Sequence, residues 1–220
     1  MEYTYVSGMA GEELTCEMTK KIVLVSNTSW YLYNFRRGLM RALKDKGFHV
    51  IALAPEDDYS RLIGRDFEFI PLKNLDRKGT NPLNDIRLLI EFYRLYKYLK
   101  VDLVFHFTVK PNIYGTIAAM MAGVESVNSV TGLGYLFIKN GFSSIIARLL
   151  YRIAFSFSSK VFFQNTDDRD LFLKYKMVDE RKVLTVPGSG VDINYFSPQS
   201  CDNALLDNNK ISFLLIARML

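Results

Sequence analysis

Short runs of adjacent apolar residues alternate along this chain with longer stretches in which apolar positions return every three or four residues. The short runs, rich in Val, Ile and Phe, predict β-strands at Lys21 to Ser26, His49 to Ala54, Phe67 to Pro71, Asp102 to Phe107, Ser126 to Val130, Lys160 to Gln164 and Lys182 to Val186. Between the first two, Leu32, Phe35, Leu39 and Leu43 share one helical face, and Gly47 stands where a C-terminal cap belongs. Asn81-Pro82 offers the next helix a capping side chain and a proline for its first turn. Strand, helix, strand repeats from there, which predicts an α/β domain with a doubly wound parallel sheet.

Two of the helical stretches carry more apolar surface than one core-facing side requires. In the first, Arg87, Glu91, Arg94 and Lys97 form a narrow polar stripe, and Ile86, Leu89, Ile90, Phe92, Tyr93, Leu95, Tyr96, Tyr98 and Leu99 cover the rest. In the second, Ser143 to Ser158, the stripe is Arg148, Arg152 and Ser156. Such helices are either sandwiched between neighbours or docked on a membrane interface. No apolar run reaches the roughly 20 residues that a membrane span needs.

The strand pattern ends in "PGSGVDINYFSP", Pro187 to Pro198. Gly188 and Gly190 take positive φ cheaply and Val191-Asp192 steers the backbone back, so the segment reads as a shaped connector. Beyond it, "ISFLLIARML" reads as one further apolar strand, and one strand buries no core alone. The expected organisation is a loose extension over 1–17, one domain over 18–187, a connector over 188–210 and the first strand of a second domain over 211–220. On that reading the chain is a truncated form of a longer protein. The leader "MEYTYVSGMAGEELTCE" has no positive n-region and no apolar core, so it is no secretory signal. Either Met18 is the true start or the residues before it are a loose extension.

An apolar content of 49% with 23% charge is that of a globular core and excludes disorder for most of the chain. The net charge is +5, and residues 1–17 hold four glutamates and no Lys or Arg, so the body behind them is more basic than the total. A basic surface suits phosphate groups, nucleic acid or acidic lipid. No nucleic-acid motif supports the second of these. Cys16 and Cys201 lie far apart and outside the predicted strands, as free thiols of a reducing compartment would.

Doubly wound sheets bind ligands beyond the carboxyl ends of their strands. After the first strand, "SNTSWYLYNFRRG" lacks both the G-x-G-x-x-G of a dinucleotide turn and the G-x-x-x-x-G-K of a P-loop. Its aromatic and amide side chains suit a sugar or a lipid-linked group instead. After the fourth, "HFTVKPNIYG" puts His106 where a base or a hydrogen-bond donor would work, unless it is a satisfied histidine at a strand end. Lys110 is either a phosphate contact or a solvated charge, and His49, inside a strand, reads as structural. After the fifth, the glycines of "TGLGY", Thr131 to Tyr135, let a ligand approach the backbone or merely make a tight turn. In "QNTDD", Asn165 or Thr166 reads as a helix cap.

Together "NTSWYLYNFRRGL", "NPLNDIRLL", "DLVFHFTVKPNIYG", "VTGLGYLF", "VFFQNTDDRDLF", "VPGSGVDINYFSP" and "FLLIARML", spanning Asn27 to Leu220, resemble glycosyltransferase family 4. The likeness is to its branch of bacterial enzymes that extend lipid-linked glycans, and within that to the diacetylbacillosaminyl-type N-acetylgalactosaminyltransferases. The resemblance implies a GT-B architecture, in which two Rossmann-like domains face each other across a cleft and this chain supplies the N-terminal, acceptor-binding half. It implies retaining transfer of a hexosyl or N-acetylhexosaminyl group from a nucleotide sugar, UDP-linked, to a polyprenyl-diphosphate-linked saccharide at the inner face of the cytoplasmic membrane, for capsule or other polysaccharide biosynthesis. No cofactor and no metal are implied. The implied acceptor contacts are Ser29, Tyr33, Asn34, Lys110, Asn112 and Gly134, with His106, Thr131 and Gly132 at the reacting centre. Arg218, in the Ala217-Arg218 pair that ends the last strand, would hold the donor diphosphate, and Gly188, Gly190 and Asp192 would shape the connector. Many family members carry a histidine after the fifth strand where this chain has Val130-Thr131-Gly132, which leaves His106 as the candidate imidazole. A fragment of this extent is expected to be inactive alone; the competing reading is a non-catalytic, membrane-docked acceptor-binding module or the remnant of a split gene.

Overall fold

The computed structural model describes residues 19–77, 79, 81–132, 142–193, 196 and 197. The leader, Gly134, the 211–220 run and Arg218 lie outside them. The chain divides into two compact units, Met1–Gly190 and Val191–Leu220. In the second unit the Phe196 N–H donates to the Asp192 carbonyl at 2.9 Å, closing a turn.

In the first unit all of the predicted strands form: β1 (Lys21–Val25), β2 (His49–Ala54), β3 (Glu68–Pro71), β4 (Leu103–Phe107), β5 (Glu125–Val130), β6 (Lys160–Phe163) and β7 (Val183–Thr185). They build one parallel sheet in the order β3-β2-β1-β4-β5-β6-β7. This is a Rossmann-like α/β sheet, wound outward in both directions from the β1–β4 pair.

The helices are α1 (Ser29–Tyr31), α2 (Arg37–Asp45), α3 (Ser60–Ile63), α4 (Pro82–Leu99), α5 (Thr116–Ala122), α6 (Phe142–Phe157) and α7 (Thr166–Lys174). The first three pack on one face of the sheet and the rest on the other. Side chains on β1 alternate accordingly. Ile22 and Leu24 pack with Leu32 and Met40, while Val23 and Val25 pack with Leu88, Phe92 and Tyr96 of α4. Further along, Val161 and Phe163 of β6 pack with Tyr151, Phe155 and Phe172. Burying each such side chain contributes about 2 kcal/mol.

The local signals act as their chemistry dictates. The Asn81 side chain accepts from the Leu83 N–H at 3.0 Å ahead of Pro82, and that of Asn165 accepts from the Asp168 N–H at 2.7 Å. Gly47 closes α2 at φ 86°, and the connector glycines Gly188 and Gly190 stand at φ 78° and 75°.

One predicted face is wrong, for a specific reason. Between α1 and α2, Leu32–Arg36 forms a π-helical turn. A π turn holds an extra residue, so every later side chain is rotated from its α-helical place. Leu32, Arg36 and Met40 therefore point inward, and Phe35 and Leu39, expected in the core, are exposed. The helix after β4 begins with a second such turn, Pro111–Gly115.

Candidate functional site

The sheet reverses its winding between β1 and β4, and the crevice beyond their carboxyl ends is where this architecture admits a ligand. Val25 pairs with His106 there, so Ser26 stands beside Phe107, and the two chains then diverge toward their π turns. Trp30 and Phe35, edge to face with centroids 5.3 Å apart, are exposed after β1, and Tyr33 stacks obliquely on Tyr59 at 5.5 Å.

The His106 side chain does not open into this crevice. It lies inside β4, and strand alternation turns it to the side of Val104, toward α4, where its exposure is 0%. Tyr96 O–H donates to Nε2 at 2.9 Å, and Nδ1–H donates to Asn128 Oδ1 at 3.1 Å, with Thr116 Oγ1 3.3 Å from the same nitrogen. Asn128 passes the chain on to Ser158 Oγ at 2.8 Å. Burial holds the His106 pKa down to about 3, against an upward pull from Asn128. The expectation of a catalytic imidazole is corrected by this geometry: a fully enclosed ring whose nitrogens are both engaged cannot touch a substrate hydroxyl.

Lys110 is neither free nor solvated. Its Nζ lies 2.7 Å from Asp85 Oδ1, both side chains largely buried, and Tyr114 O–H donates to Asp85 Oδ2 at 2.8 Å. Burial pushes the Tyr114 hydroxyl pKa up, and Asp85 adds to the push. The group ties the helix after β4 to the first turn of α4. Ser29 is likewise internal: Oγ donates to the Pro55 carbonyl at 2.8 Å and lies 3.0 Å from Ser60 Oγ. Asn112, buried, donates through Nδ2 to the Ser129 carbonyl at 3.0 Å. These three expected acceptor contacts are structural ties: Lys110 is held by a carboxylate, and Ser29 and Asn112, as short polar side chains just past a strand end, satisfy neighbouring backbone.

Others do face solvent. Asn34 is exposed, bonded to the Trp30 carbonyl at 2.8 Å, and half-buried Tyr33 accepts from Arg37 at 3.2 Å. Thr131 is half-buried and Gly132, at φ 134°, is exposed beyond β5. Asp192 is exposed. His49, expected to be structural within a strand, is the first residue of β2 and lies at the surface, with Nε2 2.7 Å from Glu68 Oε2 of β3.

The sequence pattern missed Arg36. The π turn carries it inward to 8% exposure, where NH2 donates to Tyr31 O–H at 2.6 Å and the guanidinium carbon lies 4.4 Å from the Phe107 ring centre. It also gave no hint that Thr108, a β-branched residue, would be held at φ 72° between β4 and the following helix.

Residues 21–165 match the family model described as glycosyl transferase 4-like. The chain belongs to that family. It is 26% identical over 184 residues to the N,N'-diacetylbacillosaminyl-diphospho-undecaprenol alpha-1,3-N-acetylgalactosaminyltransferase of Campylobacter jejuni, covering 81% of this chain and 48% of that enzyme. With the UDP-Gal:alpha-D-GlcNAc-diphosphoundecaprenol alpha-1,3-galactosyltransferase of Escherichia coli it shares 28% over 144 residues, 62% of this chain and 37% of the other. The chain thus spans half or less of the length of these curated relatives. Among solved structures, a glycosyltransferase from Rickettsia africae superposes with a TM-score of 0.60 at 18% identity, over 87% of this chain and 47% of that one. The Anabaena protein HepE, in complex with UDP and glucose, gives 0.57 at 16%, over 80% and 46%. These likenesses establish for the family member its Rossmann-like fold, of the kind found in GT-B enzymes.

Proposed function

We propose that this chain is the acceptor-side part of a retaining glycosyltransferase that moves a sugar from a UDP-linked donor to a saccharide carried on a polyprenyl diphosphate. The observation that carries the reading is the β1–β4 crevice of a family member, bordered by exposed Trp30 and Phe35, whose ring faces suit the apolar face of a sugar. The names of the two curated relatives, both acting on undecaprenol-diphosphate-linked saccharides, support the acceptor class.

In this reaction the glycosidic C–O bond to the departing diphosphate breaks as a new C–O bond forms to the acceptor hydroxyl on the same face. The hydroxyl proton passes to the leaving diphosphate. The chemistry then needs no protein nucleophile and no cofactor, and catalysis rests on fixed positive charge and backbone dipoles around the growing negative charge. With His106 in the core, the Thr131-Gly132 backbone, Tyr33 and Asn34 are the proposed contacts of this half, and Arg218 is proposed to balance the donor diphosphate.

The test is transfer of radiolabelled UDP-sugars to an undecaprenyl-diphosphate-linked saccharide. The 220 residues alone are expected to give no product, and the chain extended to the length of its relatives to give product. Turnover by the 220 residues would show that this half suffices, and no turnover by either would remove the reading.

Such an acceptor lies at a membrane, on the inner face of the cytoplasmic membrane in this proposal. Among the described residues no helix is long and apolar enough to cross one. The proposed contact is the outer surface of α4, where Leu83 and Ile86 are 66% and 55% exposed beside Arg87, Arg94 and Lys97, continued by Ile145 and Leu149 of α6. Arg148 and Arg152, expected to join them, are engaged by the end of α7: Arg152 donates to the Tyr175 and Lys176 carbonyls, and Arg148 stacks 3.7 Å from the Tyr175 ring centre. Binding to phosphatidylglycerol vesicles is therefore expected to weaken with salt, since each basic side chain near the surface contributes about 1 kcal/mol, and to fall further in the double variant Leu83→Asp, Ile86→Asp. Salt-independent binding, or none, would assign this face to a protein neighbour.

A further inference from the structure

We infer that the carboxyl ends of β1 and β4 hold a phosphate-binding site centred on Arg36. Its members share one property: they are hydrogen-bond donors, with no acidic side chain within ion-pairing distance of the guanidinium among the described residues. Arg36 is more than nine-tenths buried, and its Nε–H has no acceptor. Ser26, fully buried on the Phe107 side of the sheet, has an unpartnered hydroxyl, and so does Thr108, the residue after Phe107. Tyr31 O–H accepts from Arg36, which leaves its own proton to give.

Two other part-buried cations of the described chain are matched by carboxylates: Arg37 meets Asp66 and Lys110 meets Asp85. At Arg36 the neighbours are instead the Phe107 and Tyr31 rings, 4.4 and 5.4 Å from the guanidinium carbon. Aromatic faces moderate the cost of a buried cation but leave its N–H groups short of acceptors. An oxyanion supplies what the cluster lacks, because each phosphate oxygen accepts from several donors and the planar guanidinium can engage two oxygens at once.

The position is also right for an anion. Residues 109–122 run as one helix from Thr108, and its free N–H end adds partial positive charge beside the cluster. The Asn112 N–H bonds the Thr108 carbonyl at 3.0 Å, fixing that end in place. Tyr31 and Thr108 are both only half-buried, which places the cluster close to the surface.

The ligand class is a phosphate or diphosphate. Identifying the carrier of that group rests on the glycosyl-transfer reading, which contains two diphosphates, one on the nucleotide and one on the lipid acceptor. The anion site itself does not depend on that reading.

The experiment uses the 220-residue chain, whose single tryptophan, Trp30, lies one residue before Tyr31 and reports on the site by fluorescence. Inorganic pyrophosphate, UDP and geranyl diphosphate are titrated separately, with calorimetry as a second readout. Pyrophosphate is expected to bind, and Arg36→Gln to weaken it about tenfold or more. Arg36→Lys is expected to recover part of the affinity, and Thr108→Val, which keeps the branched shape but removes the hydroxyl, to weaken it several-fold. Arg169→Gln, at the surface of α7, should leave it unchanged. Tighter binding of geranyl diphosphate than of UDP assigns the site to the acceptor, and the reverse to the donor; both outcomes sustain the site. Equal affinity in the wild type and in folded Thr108→Val and Arg36→Gln proteins, or no pyrophosphate binding to the wild type, would overturn it whatever the transfer assay shows.

Discussion

Acidification from pH 6.5 to pH 5 is expected to cost the fold roughly 2 kcal/mol through His106 alone. The ring is enclosed, and burial depresses its pKa from 6.5 to about 3. In the unfolded chain the same imidazole takes up a proton near its ordinary value, so between these two pH values the unfolded state binds more protons than the folded one. Stability contributed by the neutral ring is therefore fully present above pH 6.5 and is lost as the pH falls toward 3. Urea midpoints measured from pH 7.5 to pH 5 in a His49→Gln background, which removes the other histidine, should show this slope. His106→Gln should be less stable at neutral pH, because Tyr96 and Asn128 lose a buried partner, and should show a flatter profile. A flat wild-type profile would mean that the ring titrates in contact with water and would restore it as a candidate for chemistry.

Gly115→Ala is expected to destabilise the domain by about 3 kcal/mol, against the usual preference of helices for alanine. A methyl group there would meet His106, 2.6 Å from Cδ2 and nearer still to Nε2. The ring cannot retreat, since Tyr96, Thr116 and Asn128 hold it on three sides. Gly38 provides the contrast. It is exposed in α2, and a methyl group added there would have nothing within 4 Å, so Gly38→Ala should stabilise by about 1 kcal/mol. Thermal unfolding of the two variants side by side decides the point; a Gly115→Ala protein as stable as wild type would mean that the helix and β4 leave room for a methyl group between them.

Function was partly legible in the residues. The absence of a dinucleotide or P-loop glycine pattern after β1 removed two common ligand classes, and the ordered set of motifs pointed to the family that the 21–165 match establishes. The individual site residues were read less well. His106 and Lys110 were selected because they follow a strand, and Ser29 and Asn112 on the resemblance, and neither ground says which way a side chain turns.

By itself the sequence determined the strands, their parallel arrangement and most caps, because apolar periodicity, Asn81-Pro82, Gly47 and the connector glycines act through local geometry and solvent exclusion. It also showed that α4 and α6 were too apolar for one core-facing side, and their outer faces do expose Leu83, Ile86, Ile145 and Leu149. What covers those faces is not a local property. The tertiary structure alone decided the fate of the polar residues. One extra residue in the turn at Leu32–Arg36 swings a charged side chain into the interior and two large apolar ones out, a change that a 3.6-residue period cannot register. His106 lies inside β4 as it lay inside the predicted strand Asp102 to Phe107; which face it takes is what the packing decided, because successive side chains on a strand point to opposite faces and this one turns to the core.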